Sequence, residues 1–188
     1  MSVLFDQTFS KSDFTSEDLP AKEFENCTFV ACNFQSADLT GIVFVECTFT
    51  DCNLSNVKLQ KTALKDCRFK NCKMIGMHFE HCSDFLFEVN FESCQLDHCS
   101  FYKVRLKKTS FVKCSLKESS FAEADLTEAN FTEADLLSAA FDRTNLEKAD
   151  FRGAINYSID PENNKIKKAK FSVDGIAGLL DKYQINIS

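Results

Sequence analysis

The sequence has no tryptophan and only three tyrosines, yet twenty of its 188 residues are phenylalanine. A chain that concentrates its aromatics in one type is placing that type at equivalent sites, as a repeat architecture does. No apolar run approaches the roughly 18 residues of a membrane span. Met1–Gln7 has neither a basic stretch nor an apolar core, so the start does not read as a secretory signal. Only three histidines are present, with no G-x-S-x-G and no glycine-rich phosphate loop. No pair of catalytic carboxylates stands in a recognisable cleft. The expectation is a protein without enzymatic activity and without a cofactor.

A formal net charge of −6 disfavours nucleic acid as the main partner. At 44% hydrophobic residues the chain has enough apolar material for a full core. Ten cysteines would suggest disulfides in an exported protein. Without an export signal they are expected as reduced thiols, and the location as cytoplasmic.

What is present is a period of five. Every fifth residue from Phe91 to Phe151 is Phe or Leu, and every fifth from Phe9 to Phe79 is Phe, Leu or Met. A helix repeats every 3.6 residues and a strand every 2, so neither explains this spacing. The two runs differ in phase by two residues. The slip lies in EHCSDFLFEVN, where Leu86 is expected to restart the register.

Two residues before most of these positions stands a small or thiol-bearing one. Cys27, Cys32, Cys47, Cys52, Cys67, Cys72, Cys94, Cys99 and Cys114 occupy this second column, then Ala124, Ala129, Ala134, Ala139 and Ala149. Cys82 joins them if the first phase is carried on to Asp84. Two inward residues in five, one large and one small, describe a coil with a narrow filled interior. Cysteines also recur at twenty, as in Cys27, Cys47 and Cys67, which makes the coil four-sided. Zinc needs about four converging ligands, whereas these thiols fall on parallel rows and read as small buried hydrophobes. His81 and His98 each adjoin an inward cysteine, so alternation points them outward, away from any Cys–His pairing. No metal site is expected.

Ala37-Asp38-Leu39, Ala124-Asp125-Leu126, Ala129-Asn130-Phe131, Ala134-Asp135-Leu136 and Ala149-Asp150-Phe151 match A-[DN]-[LF]-x-x literally. In these residues the chain resembles the pentapeptide repeat family over about residues 5–155. The resemblance implies an all-β solenoid, a right-handed quadrilateral β-helix, over residues 1–155. Residues 156–188 would form a capping or dimerisation tail with a short α-helix. At about 4.8 Å per coil, some seven coils give a rod roughly 35 Å long, whose ends need capping or pairing.

The tail leaves the five-period for a helical one. Ser172 can serve as N-cap, with Asp174 in the first turn and Lys182 in the last. Val173, Ile176, Ala177, Leu180 and Tyr183 share a face beside Leu179, and Ile185 and Ile187 then alternate like a short strand. Gly175 and Gly178 weaken a helix interior by about 1 kcal/mol each, so the segment needs something to pack on. It can cap its own rod, or pair with a second copy. The stretch from Ile155 to Ile187 is similar to the C-terminal part of the Qnr quinolone-resistance proteins and of the microcin-immunity protein that protects DNA gyrase. That resemblance implies a homodimer through Phe171, Val173, Ile176, Leu179, Leu180, Tyr183, Ile185 and Ile187. It also implies imitation of duplex DNA toward gyrase or another type II topoisomerase.

Duplex DNA carries about one negative charge per 1.7 Å of axis, far above what −6 gives over the whole rod. Between residues 118 and 150, however, stand Glu118, Glu123, Asp125, Glu128, Glu133, Asp135, Asp142, Glu147 and Asp150, against only Arg143 and Lys148. Counted along the chain, that is about one net charge per 1.1 Å of rod. These nine are the candidate partner-binding residues. Asp125, Asp135 and Asp150 sit at the [DN] motif position and can equally serve local hydrogen bonds. Lys58, Lys61, Lys65, Arg68, Lys70 and Lys73 form one basic zone, and Lys103, Arg105, Lys107, Lys108, Lys113 and Lys117 another. Without a groove-reading motif they read as solvated faces or contacts to a protein. The functional expectation is a topoisomerase-binding rod that gives immunity to a quinolone or a toxin. The alternative is an interaction scaffold of the same fold with another partner.

Overall fold

The computed structural model describes residues 3–16 and 19–186. Each five-residue side has the same local plan. The small residue and the large one two places later turn inward, and the residue two places after the large one takes the left-handed conformation that bends the chain into the next side. Glu118, Glu123, Glu128 and Glu133 have φ of 55°, 57°, 62° and 59°, and Lys103, Lys108 and Lys113 have 60°, 60° and 58°. For a residue with a Cβ this region costs roughly 1–2 kcal/mol. Stacking offsets that cost, because most corner amides find a carbonyl in the next coil. Glu123 N–H donates to Asp142 O at 2.8 Å, and Glu128 N–H to Glu147 O at 2.9 Å. The five-period is therefore three extended residues, one left-handed corner and the small residue that starts the next side.

Coils stack in parallel at a register of twenty. The larger sheet runs Phe111–Val112, Val89–Glu92, Cys67–Lys70, Thr48–Thr50, Thr28–Val30 and Thr8–Ser10, and its pairings include Phe29 with Phe49 and Phe49 with Phe69. A smaller sheet on an adjoining side joins Val3–Phe5, Glu23–Glu25, Val43–Val45 and Ala63–Lys65. Inside, nine rings from Phe9 through Phe91 to Phe171 stack face to face at centroid distances of 4.7–5.4 Å. Eight steps make a filled rod of about 40 Å. Rings on opposite sides meet edge-on across the interior, as Phe111 does with Phe121 at 5.7 Å, the arrangement that the aromatic quadrupole favours.

The ten cysteines are free; nine are buried and Cys82 is half-buried. Their thiols do more than fill space. Cys47 Sγ donates to Phe24 O, and Cys52 Sγ to Phe29 O, each at 3.4 Å. Thr62, Ser119 and Thr144 stand in the same column and make the equivalent bond with a hydroxyl. Donors in this column reach the preceding coil, while alanine and the larger Ile42, Val57, Met77 and Val89 stand buried there with no donor to satisfy.

At the slip, Phe69 pairs with Phe91, so this one coil has two extra residues. They are extruded as a loop after the single helical turn Phe79–His81. Leu86 does not restart the register: it is 64% exposed, in the left-handed region, and Phe87 packs against the core instead. Three consecutive apolar residues, Phe85, Leu86 and Phe87, could each have taken the inward place, and the loop path selects the last.

The tail is helical, but its bonds run from i to i+3 as 3₁₀ turns over Val173–Leu179 and Asp181–Tyr183 rather than as an α-helix. The reason is steric. Gly178 lies so close to Tyr157 O that a Cβ would collide with that carbonyl, and Gly175 lies equally close to the Tyr157 hydroxyl. The glycines let the tail descend onto the last coil, where Ile159 N–H donates to Gly178 O at 2.9 Å. Ser172 stands at the N-cap position but makes no capping bond. Its hydroxyl accepts from Gly153 N–H at 2.9 Å and so ties the tail to the preceding coil.

Candidate functional site

The nine candidate carboxylates occupy three outward settings: the motif position, the corner and, for Asp142 and Glu147, the place just after the large residue. Asp125, Asp135 and Asp150 use Oδ1 to accept from the backbone N–H two residues on, in Thr127, Leu137 and Arg152, at 3.1–3.2 Å. Asn130 and Asn145 do the same toward Thr132 and Glu147. The motif's acid or amide thus stabilises each side locally. Glu118, Glu123, Glu128 and Glu133 project from the four corners of a single coil, while Asp142 and Glu147 lie one coil further on.

Stacking places the second basic zone directly beneath this acidic coil. Lys103 reaches Glu123 at 3.5 Å, Lys107 reaches Asp125 at 3.3 Å, Lys113 reaches Glu133 at 3.8 Å and Lys117 reaches Asp135 at 3.3 Å. From above, Arg143 reaches Glu123 and Asp142, and Lys148 reaches Glu128. Arg152 and Lys170 meet Asp150, and His98 lies 3.5 Å from Glu118. Among the described residues, Glu147 alone of the nine has no such neighbour.

Hydrogen bonds and ion pairs set the carboxyl acidities. Lys148 holds Glu128 below the usual range. Asn163 lowers Asp142, and Arg152 lowers Asp150. Burial pushes Asp125 and Asp135 up, but bonds from Thr127 and Lys107, and from Asn156 and Lys117, outweigh it and leave both lowered. Each exposed pair is screened by solvent and adds little to stability. Together, though, they change the field. From residue 98 to 150 nine carboxylates face eight Lys and Arg, leaving one net negative charge. The linear count of the acidic stretch omitted the coil below it. Residues twenty apart, such as Lys103, Glu123 and Arg143, carry that information in the sequence.

At the C-terminal end, Phe171 closes the central ring column, stacked on Phe151 at 5.2 Å, and Leu179 and Leu180 are half-buried. Val173 is 85% exposed, and Ile176, Tyr183 and Ile185 are exposed too. Ile187 lies outside the described residues. The tail is pinned by Lys182, 2.7 Å from both Asp160 and Glu162, and by the Tyr183 hydroxyl, which donates to Glu162 at 3.0 Å. Two further exposed apolar residues, Leu137 and Ile155, line a groove that the tail borders with Asp174, Ala177 and Asp181. Their signal was available: each is an aliphatic residue at an outward position that is elsewhere mostly polar.

Among the described residues no group of three or more His, Cys, Asp or Glu could hold a metal ion, and no helix is long and apolar enough to cross a membrane. His78, His81 and His98 are all exposed.

The family model described as pentapeptide repeat region matches residues 42–98 and 78–153. No curated protein matches the chain in sequence. Among solved structures, a trypsin-treated variant of QnrB1, a plasmid-mediated fluoroquinolone resistance protein, superposes with a TM-score of 0.65 at 17% identity. It covers 99% of this chain and 98% of that one. A second trypsin-treated QnrB1 variant gives 0.63, also at 17% identity, covering 99% and 97%.

Proposed function

The chain belongs to the pentapeptide repeat family, and from that premise we propose that it acts by binding a protein, as a homodimeric rod, and that this protein is DNA gyrase or another type II topoisomerase. Bound at the topoisomerase's DNA-binding surface, the rod protects the enzyme from a quinolone or a gyrase-directed toxin. The observation that carries the reading is the end-to-end correspondence of the fold, tail included, with a fluoroquinolone resistance protein. The exposed Val173, Ile176, Tyr183 and Ile185 supply an apolar surface for pairing two copies. In such a dimer the acidic coils of the two rods flank the two-fold axis.

The ion-paired setting changes how the carboxylates take part. Their cations are exposed and weakly held, so a basic partner can displace them, with Glu118, Glu123, Glu128 and Glu133 offered at the corners. Resemblance to DNA then lies in the rod's shape and in these projecting groups, not in net charge. The test is supercoiling by purified gyrase in the presence of a fluoroquinolone. Micromolar rod should restore activity, and the triple variant E123K/E128K/E133K should not. The variant keeps the fold, because lysine already stands at the same corners in residues 103, 108 and 113. Absence of both binding and protection by the unaltered protein would refute the topoisomerase reading.

One observation favours a second reading, a scaffold with another partner: the acidic coil lies between two coils whose cations pair with it. In that case the triple charge reversal leaves the partner's capture unchanged.

A further inference from the structure

The two-residue slip does more than interrupt the register. Between the extruded loop and the next coil it opens a cleft of about 400 Å³, within the range of small-molecule sites. The loop contributes two carboxylates, Glu80 and Asp84, and the coil contributes two cations, Lys103 and Arg105. Leu86, Phe87 and Val104 supply the apolar lining.

Glu80 is only half satisfied. Its Oε1 lies 3.1 Å from His78 Nδ1, but Oε2 is buried without any hydrogen-bond partner. A buried carboxylate oxygen left unmatched is costly and asks for a donor. Arg105 is the complementary case. Lys103 and Lys107 on either side are engaged by Glu123 and Asp125, whereas among the described residues no carboxylate lies within ion-pair distance of Arg105. Leu86 adds a third sign: among the described residues it is the only aliphatic one larger than alanine with a left-handed backbone, held there at the mouth of the cleft.

A purely cationic occupant would meet Lys103 and Arg105, and a purely anionic one would meet Glu80 and Asp84. We propose that the cleft binds a small zwitterion with an apolar body, of the class of the large apolar α-amino acids. Its ammonium donates to the Glu80 carboxylate, its carboxylate accepts from Arg105, and its side chain lies against Leu86, Phe87 and Val104. The site is independent of the topoisomerase reading and stands or falls without it.

Calorimetric titration of the full chain with L-phenylalanine, L-leucine and L-tryptophan tests the proposal. Saturable binding below about 10 mM is expected for at least one. For that probe, the analogue lacking the carboxylate and the analogue lacking the ammonium should each bind about tenfold or more weakly, since each drops a charge-assisted bond. Glu80→Gln and Arg105→Gln should weaken binding by a similar factor while the melting profile stays cooperative. Both side chains lie outside the core columns, so the variants fold. No saturable binding by any of the three, or binding that ignores both substitutions, overturns the proposal. Equal affinity for the ammonium-only analogue overturns the zwitterion requirement.

Discussion

Raising the pH should unfold this protein through its interior. Burial pushes the Cys47 and Cys99 thiols up to about 12, from an ordinary value of 9.0. Between those two values an unfolded thiol has released its proton while the folded one keeps it. The unfolded state therefore binds fewer protons, and stability falls as pH rises, beginning near the unfolded value. At about pH 10 each of these thiols withdraws about 1.4 kcal/mol, or about 3 kcal/mol together, relative to about pH 8. Cys32 and Cys67 are raised by burial as well and act in the same direction. Against a total stability of about 5–15 kcal/mol, this is a large fraction.

Urea unfolding followed by circular dichroism under reductant provides the measurement. With a slope of about 2 kcal/mol per molar, the midpoint should drop by about 1.5 M between those pH values from Cys47 and Cys99 alone. The double variant Cys47→Ala/Cys99→Ala starts from its own offset, but its midpoint should fall by about 1.5 M less. Alanine suits the column, as Ala124, Ala129 and Ala134 show by being fully buried there. An unchanged midpoint at about pH 10, or folded thiols that titrate near 9 by ultraviolet absorbance, would refute the reasoning.

Phe111 is stacked between Phe91 and Phe131 at 5.3 and 4.9 Å and meets two further rings edge-on, so Phe111→Ala should cost about 3–5 kcal/mol in denaturant unfolding. Gly178→Ala would drive a Cβ into Tyr157 O; the tail should lift while the coils persist, seen as monomer by sedimentation with an unchanged β signature.

Much of the fold was legible because a solenoid writes its geometry into its spacing. Phe and Leu at every fifth place, with Cys or Ala two before, define both inward columns; from Phe24 to Phe151 the large residues land inside, and of the cysteines Cys82 alone is half-buried. The family motif's Asp and Asn were readable as local bonds, and they make them. The slip was legible in place but not in path, since a period cannot choose among Phe85, Leu86 and Phe87 once it breaks. The glycines of the tail looked like a weakness of a helix. They are the contact itself, which depends on Tyr157 arriving from a coil that no local pattern points to. The charge balance is not legible along the chain for a simpler reason: neighbours across coils, twenty residues apart, decide the field. The cleft at the slip gave no sequence signal at all, because it needs Glu80 and Arg105 to meet across twenty-five residues.

The corner column has a consequence for how such a molecule can change. Among the described residues with positive φ, none is valine, isoleucine, threonine or proline and His98 is the one aromatic, while Lys, Glu, Asp, Asn and Ser recur. The backbone filters shape at these edges and is indifferent to sign. Four lines of side chains along the rod can thus be rewritten from basic to acidic, one position at a time, with the interior left untouched. A lineage built this way can exchange one binding partner for another by drift along its edges, keeping a constant scaffold while its recognition surface is re-lettered.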